Sequence, residues 1–225
     1  MNLSLAQNRF LAFNLRRLVR VAVVALSCIV PCAAEEMTLD NGKSPNGQYE
    51  TFLAGDSGEG DFGVEVRLAS DGSRVAFLPW GYGIMKYAPE FTVIKWSADS
   101  RFVAIKLRDT KRTFRTSIFY LDGRKTRIVK PDLDYFQNIC GRLGTLGQDF
   151  RNRNETPINF ASSKRSGSNL TLRVEVPSPK EDVELSFDVL ISCYPPFSDR
   201  NSGDPEPHAT VVKITGPAAD APSNP

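Results

Sequence analysis

An all-β domain of antiparallel hairpins is the fold class predicted by this sequence, on three observations. Apolar and polar residues alternate with period two between residues 49 and 129. The alternation breaks at regular clusters of Gly, Asp and Ser, and one turn signature recurs along the chain. Val64, Val66 and Leu68 alternate with Glu65 and Arg67; after Ser70-Asp71-Gly72 the chain returns through Val75 and Phe77. A second hairpin runs up through 93–96, turns at Ser97-Ala98-Asp99-Ser100 and descends through 102–107. A third runs over 117–121, turns at Asp122-Gly123 and returns over 126–129.

The turn segments share an order of Ser or Ala, polar, Gly or Ser, polar, apolar. They are Ser44-Pro45-Asn46-Gly47-Gln48-Tyr49, Ala69-Ser70-Asp71-Gly72-Ser73-Arg74-Val75-Ala76 and Trp96-Ser97-Ala98-Asp99-Ser100-Arg101-Phe102-Val103-Ala104. The last resembles the W-S-P-D-S-R-x-[VIL]-A signature of TolB-type, WD-like β-propeller blades, with Ala98 where that family favours Pro. The likeness covers residues 91–130, with a weaker copy over 44–78. It implies propeller-like antiparallel blades of four strands. About three such units fit in the chain, fewer than the four to eight of a typical closed ring. The expectation is therefore an incomplete or open propeller, or a sandwich of the same hairpins, with open edges covered by a helix, loops or a partner.

Beyond Pro131 the period changes. Leu133, Phe136, Ile139, Cys140 and Leu143 fall at helical spacing, predicting one short helix over 132–143 that ends at Gly144. Residues 144–156 read as loop, and strands resume over 158–161, 170–176, 184–193 and 210–215. Residues 216–225, rich in Pro and small residues, read as a disordered tail.

The first residues have the layout of an export signal. Arg9, Arg16, Arg17 and Arg20 precede the apolar run 21–30, and small residues follow at Cys32, Ala33 and Ala34. The apolar run is about half the ~20 residues a membrane-spanning helix needs, so no span is expected after cleavage. Cleavage after Ala34 leaves 35–215 as a single domain in a bacterial periplasm or outside the cell; Cys28 sits in a weak lipoprotein box. The remaining 24 basic and 26 acidic residues give a net charge of −2, with signs interspersed, which speaks against nucleic acid as a partner. Two cysteines then remain, Cys140 and Cys193, and in an oxidising compartment they predict one disulfide.

The residues supply little for catalysis, and no catalytic residue, metal site or cofactor is assigned. His208 is the single histidine and sits in a Pro-rich acidic stretch, and no G-x-S-x-G elbow presents a serine. Two carboxylate groupings, Asp56 with Glu59 and Asp61, and Asp132 with Asp134, are the candidates for an acid-pair hydrolase. Asn154-Glu155-Thr156 and Asn169-Leu170-Thr171 match glycosylation acceptors. Trp80, Tyr82 and Tyr87, among Pro79, Gly81, Gly83 and Pro89, form the candidate ligand-binding cluster: either a face for a sugar or peptide, or a cover for the end of the core. The functional expectation is a noncatalytic binding module with an unidentified protein or glycan partner in the envelope. A glycan-directed acid-pair hydrolase and a structural envelope protein are the alternatives.

Overall fold

The computed structural model describes residues 35–55, 62–81, 83, 87–145, 153–162, 167–179, 182–196 and 206–217. The chain divides into Met1–Ala34 and Glu35–Pro225, and every described residue belongs to the second unit. The predicted export signal, the Asp56, Glu59 and Asp61 loop, Tyr82 and most of the tail lie outside the described residues.

Glu35–Pro225 is predominantly β, and its described strands group into three four-stranded antiparallel meanders. The first comprises β1 (Glu35–Lys43), β2 (Tyr49–Gly55), β3 (Phe62–Leu68) and β4 (Arg74–Pro79), paired in chain order. The second comprises β5 (Val93–Trp96), β6 (Phe102–Arg108), β7 (Thr113–Asp122) and β8 (Lys125–Val129). The third comprises β9 (Arg153–Ser162), β10 (Ser168–Pro177), β11 (Glu184–Tyr194) and β12 (His208–Thr215). A short parallel contact, Thr113 opposite Arg153 and Phe114 opposite Asn154, joins the second and third meanders into one eight-stranded sheet. No ring of strands closes among the described residues.

The middle meander is buried on both faces. Val103, Ile105, Phe119 and Leu121 point into a core shared with Leu53, Val64, Val66 and Leu78 of the first meander. Their neighbours Phe102, Ala104, Ile118 and Tyr120 point the other way, into a core shared with Leu170, Leu172, Val189 and Ile191 of the third. Because side chains alternate across a strand, the unbroken apolar run Phe102-Val103-Ala104-Ile105, all fully buried, is what a strand sandwiched between two layers requires.

The two ends of this stack face water. On the outer side of the first meander Arg67 pairs with Glu36 at 2.8 Å and Glu65 at 2.7 Å, while Arg74 pairs with Glu65 at 3.1 Å. On the third, Arg173 pairs with Asp188 at 3.1 Å, Asn154 donates to Glu175 at 2.7 Å and Ser192 donates to Asn169 at 2.6 Å. The more exposed of these ion pairs, such as Arg173 with Asp188, contribute only about 0–1 kcal/mol each. Their position matters more, since faces with satisfied polar side chains finish a stack as polar end repeats do. Asn154 and Asn169, the two glycosylation-acceptor asparagines, are thus strand residues whose amides are already engaged.

The repeated turn signature has a repeated geometry. Ser44 donates to Asn46 at 2.9 Å and accepts from the Tyr49 N–H at 2.9 Å; Ser97 donates to Asp99 at 2.6 Å and accepts from the Phe102 N–H at 2.9 Å. Each turn has its fourth residue in the left-handed region, Gly47 at φ 70° and Ser100 at φ 60°. The two turns also touch, because the Asn46 N–H donates to Ser100 Oγ at 3.0 Å. Similarly, Arg124 in the β7–β8 turn reaches Asp71 in the β3–β4 turn at 2.6 Å. The first two meanders therefore stack with equivalent turns side by side. Ser97→Ala is expected to destabilise the domain by about 1–3 kcal/mol, because the buried Phe102 N–H and the Asp99 carboxylate each lose a partner. Urea denaturation measures this loss.

Two helices are described. α1 (Ala88–Phe91) is a single turn that the period-two reading did not anticipate. α2 (Tyr135–Arg142) is the helix expected over 132–143, starting three residues later because Asp134 caps it by accepting from the N–H groups of Phe136 and Gln137. It ends at Gly144, φ 67°. Several strands differ from expectation, β1 and β9 the most. β1 was not anticipated, since Glu35-Glu36-Met37-Thr38-Leu39-Asp40 is too polar to read as a strand. β9 begins at Arg153 inside the expected 144–156 loop, because its polar residues are held by cross-strand partners.

Candidate functional site

The aromatic candidates separate. Trp80 is 4% exposed and stacks on Phe62, with ring centroids 5.5 Å apart, so it belongs to the core of the first two meanders. Tyr87 is 47% exposed, and Tyr82 lies outside the described residues. The loop from Trp80 is tied down at Gly81, whose N–H donates to the Arg108 carbonyl at 3.1 Å. A Cβ there would come within 2.3 Å of the Asp109 carbonyl oxygen, so only glycine allows this approach.

That approach builds the end wall of a cleft of about 300 Å³ between the first and second meanders. One side is the edge strand β4, with Phe77, Leu78 and Pro79; the floor is Leu107 and Phe119, and Ile128 stands on the opposite side. Phe77 is 43% exposed and Ile128 61%, leaving apolar surface on both lips. The polar part comes from Ser117 and the ends of β6 and β7, where Arg115 pairs with Asp109 at 2.9 Å. Arg108 lies over the rings of Phe91 and Phe114, at 5.4 and 5.8 Å, and donates to the Lys111 carbonyl at 2.7 Å. The cleft thus offers apolar contact area with an arginine-rich rim.

A second constellation is buried where β7, β9 and α2 meet. Glu155 accepts from the Thr116 N–H at 2.9 Å, and Thr116 Oγ1 returns a bond to the Glu155 carbonyl at 3.1 Å. Arg153 Nε lies 3.1 Å from Glu155 Oε1, an ion pair not aligned as a hydrogen bond, and its guanidinium stacks 4.3 Å over Phe136. Burial raises the Glu155 carboxyl above its ordinary value against the pull of Arg153. Burial, with the Glu155 charge beside it, pushes the Tyr135 hydroxyl well up as well. The β4 cleft does not reach this group, since none of its residues lines it. It acts as a structural tie that holds the parallel β7–β9 contact and the helix together.

The remaining candidates are occupied structurally. Asp132 accepts from the Val211 N–H at 3.0 Å and Asp134 caps α2, so neither faces the other across a cavity. His208, expected in a solvated loop, opens β12, where it is exposed and stacks on Tyr194 at 4.9 Å. Cys140 on α2 and Cys193 on β11 are both buried free thiols, so the disulfide expected from the even count is not formed in this structure. Each serves as a small apolar core group, and burial pushes the Cys193 thiol up to about 12. Among the described residues no group of three or more His, Cys, Asp or Glu is placed to hold a metal ion. No described helix is long and apolar enough to cross a membrane.

Sequence reasoning missed both the cleft and the Glu155 tie. Phe77 and Ile128 lie on strands that the sequence predicts, but the reading took Val75 and Phe77 for the apolar face of theirs, whereas the structure buries Ala76 and Leu78 and leaves Phe77 exposed. Glu155 carried no signal, being one acid within a polar stretch. Comparison with protein-family models, with curated proteins and with solved structures gives no match to this chain.

Proposed function

We propose that this chain is an exported, noncatalytic binding module: residues 1–34 direct export, and the three-meander stack, a propeller-like scaffold without a closed ring, presents a cleft to a protein or glycan of the envelope. The observation that carries this reading is the cleft between β4 and the β7–β8 hairpin, with Phe77 and Ile128 exposed at its lips and arginines at its rim. Exposed apolar groups gathered around a concavity are features of recognition surfaces. The repeated turns are spent on aligning the layers, which supports a scaffold role for the motif. The experiment is recovery of partners from an envelope extract on the immobilised 35–225 chain. A single protein or glycan retained reproducibly is expected. Carboxylate-dependent release of reducing sugar from envelope glycan, without a retained partner, would favour the hydrolase instead.

A further inference from the structure

β4 is an edge strand whose outward backbone groups can be identified. The Trp80 N–H donates to the Phe62 carbonyl at 2.9 Å, and Val64 stands opposite Leu78 and Val66 opposite Ala76. Hydrogen-bonded pairs alternate along an antiparallel ladder, so in the regular stretch Leu78 and Ala76 bond to β3 while Phe77 turns its N–H and C=O groups toward the open edge; the register shifts just beyond, at Val75. No strand pairs with that edge among the described residues. Beneath it lies the apolar floor of Leu107 and Phe119, with Ile128 on the opposite lip. Arg74 and Pro79 bound the edge at its two ends, leaving room for a short segment and discouraging indiscriminate sheet growth.

We infer that the cleft takes an extended protein segment that adds as a fifth strand to β4, setting apolar side chains on the floor and acidic side chains against the arginine rim. This rests on the binding reading above and gives its site a geometry and a partner chemistry. Charge selects the occupant. The β6–β7 turn beside the cleft, residues 108–115, carries Arg108, Lys111, Arg112 and Arg115 against the single acid Asp109. A second copy would bring the same basic hairpin to the same place, whereas an acidic, alternating segment is complementary.

The test uses a fluorescent eight-residue peptide of alternating Glu and Val, a Lys and Val peptide as control, and the 35–225 chain. The Glu peptide is expected to bind at least about tenfold more tightly than the control, with affinity falling as salt rises. Ile128→Glu, at an exposed position, is expected to weaken binding about tenfold or more. Phe77→Pro removes the outward N–H and is expected to weaken binding more than Phe77→Ala, which removes only the ring. Should Phe77→Pro fail to fold, hydrogen exchange decides, since the Phe77 amide of the wild type should become protected when peptide is added. Absence of peptide binding, binding indifferent to Ile128→Glu, protection elsewhere, or peptide-independent self-association through β4 would each overturn the inference. A partner recovered from extract equally by wild type and Ile128→Glu would overturn it while leaving the binding function intact.

Discussion

Phe102→Ala is expected to destabilise the domain by about 3–5 kcal/mol, the range for removing a fully buried aromatic ring from a packed core. The ring packs tilted against Tyr120, with centroids 5.4 Å and planes 56° apart, and lies in the core between the second and third meanders. Its backbone N–H is held by Ser97, so the same residue joins the repeated turn to the middle layer. Phe77→Ala supplies the contrast. That ring is 43% exposed with Arg74 over it, and its removal should change stability by less than about 1 kcal/mol. Urea midpoints of the two variants measure both values, and similar losses would contradict a stack with one buried layer and two finished faces.

Glu155→Ala is expected to cost about 3–5 kcal/mol, because it leaves the Thr116 N–H without its acceptor and Arg153 without its anion. The pH dependence has a definite sign. The folded carboxyl sits above its ordinary 4.5, so between that value and the raised one the native state keeps a proton that the unfolded chain has released. Glu155 therefore makes its full favourable contribution below pH about 4.5 and loses it as pH rises through the folded value. The charged and titratable groups around it are Arg153 on β9, Arg115 on β7, and Tyr135 of α2 with its cap Asp134. Glu155→Gln should remove this slope from a plot of stability against pH, and an unchanged slope would assign it to another group.

The hairpins β3–β4, β5–β6 and β7–β8 were legible because each has one apolar face, or an apolar run, broken by turn residues with a known backbone preference. The turn repeat was legible too, and the matching hydrogen bonds at Ser44 and Ser97 give the physical reason that it recurs. Strands whose outward residues are polar were harder to read. β1 and the start of β9 are stabilised by partners far away in sequence, such as Arg67 for Glu36 and Thr116 for Glu155, which local periodicity does not register. The cleft escaped for a similar reason. Its walls come from residues 77–81, 107–119 and 128, which only the stacking of two meanders brings together. Trp80, singled out as part of either a binding face or a cover for the end of the core, is the core anchor from which the cleft's end loop departs.

The central claim is that the chain works by holding a partner in the β4 cleft. The measurement that tests it most directly is parallel recovery from envelope extract on wild-type and Ile128→Glu chains, both first shown to be folded by their urea midpoints. A partner retained by wild type and lost from Ile128→Glu is the predicted result; no retained partner on either chain would contradict the claim.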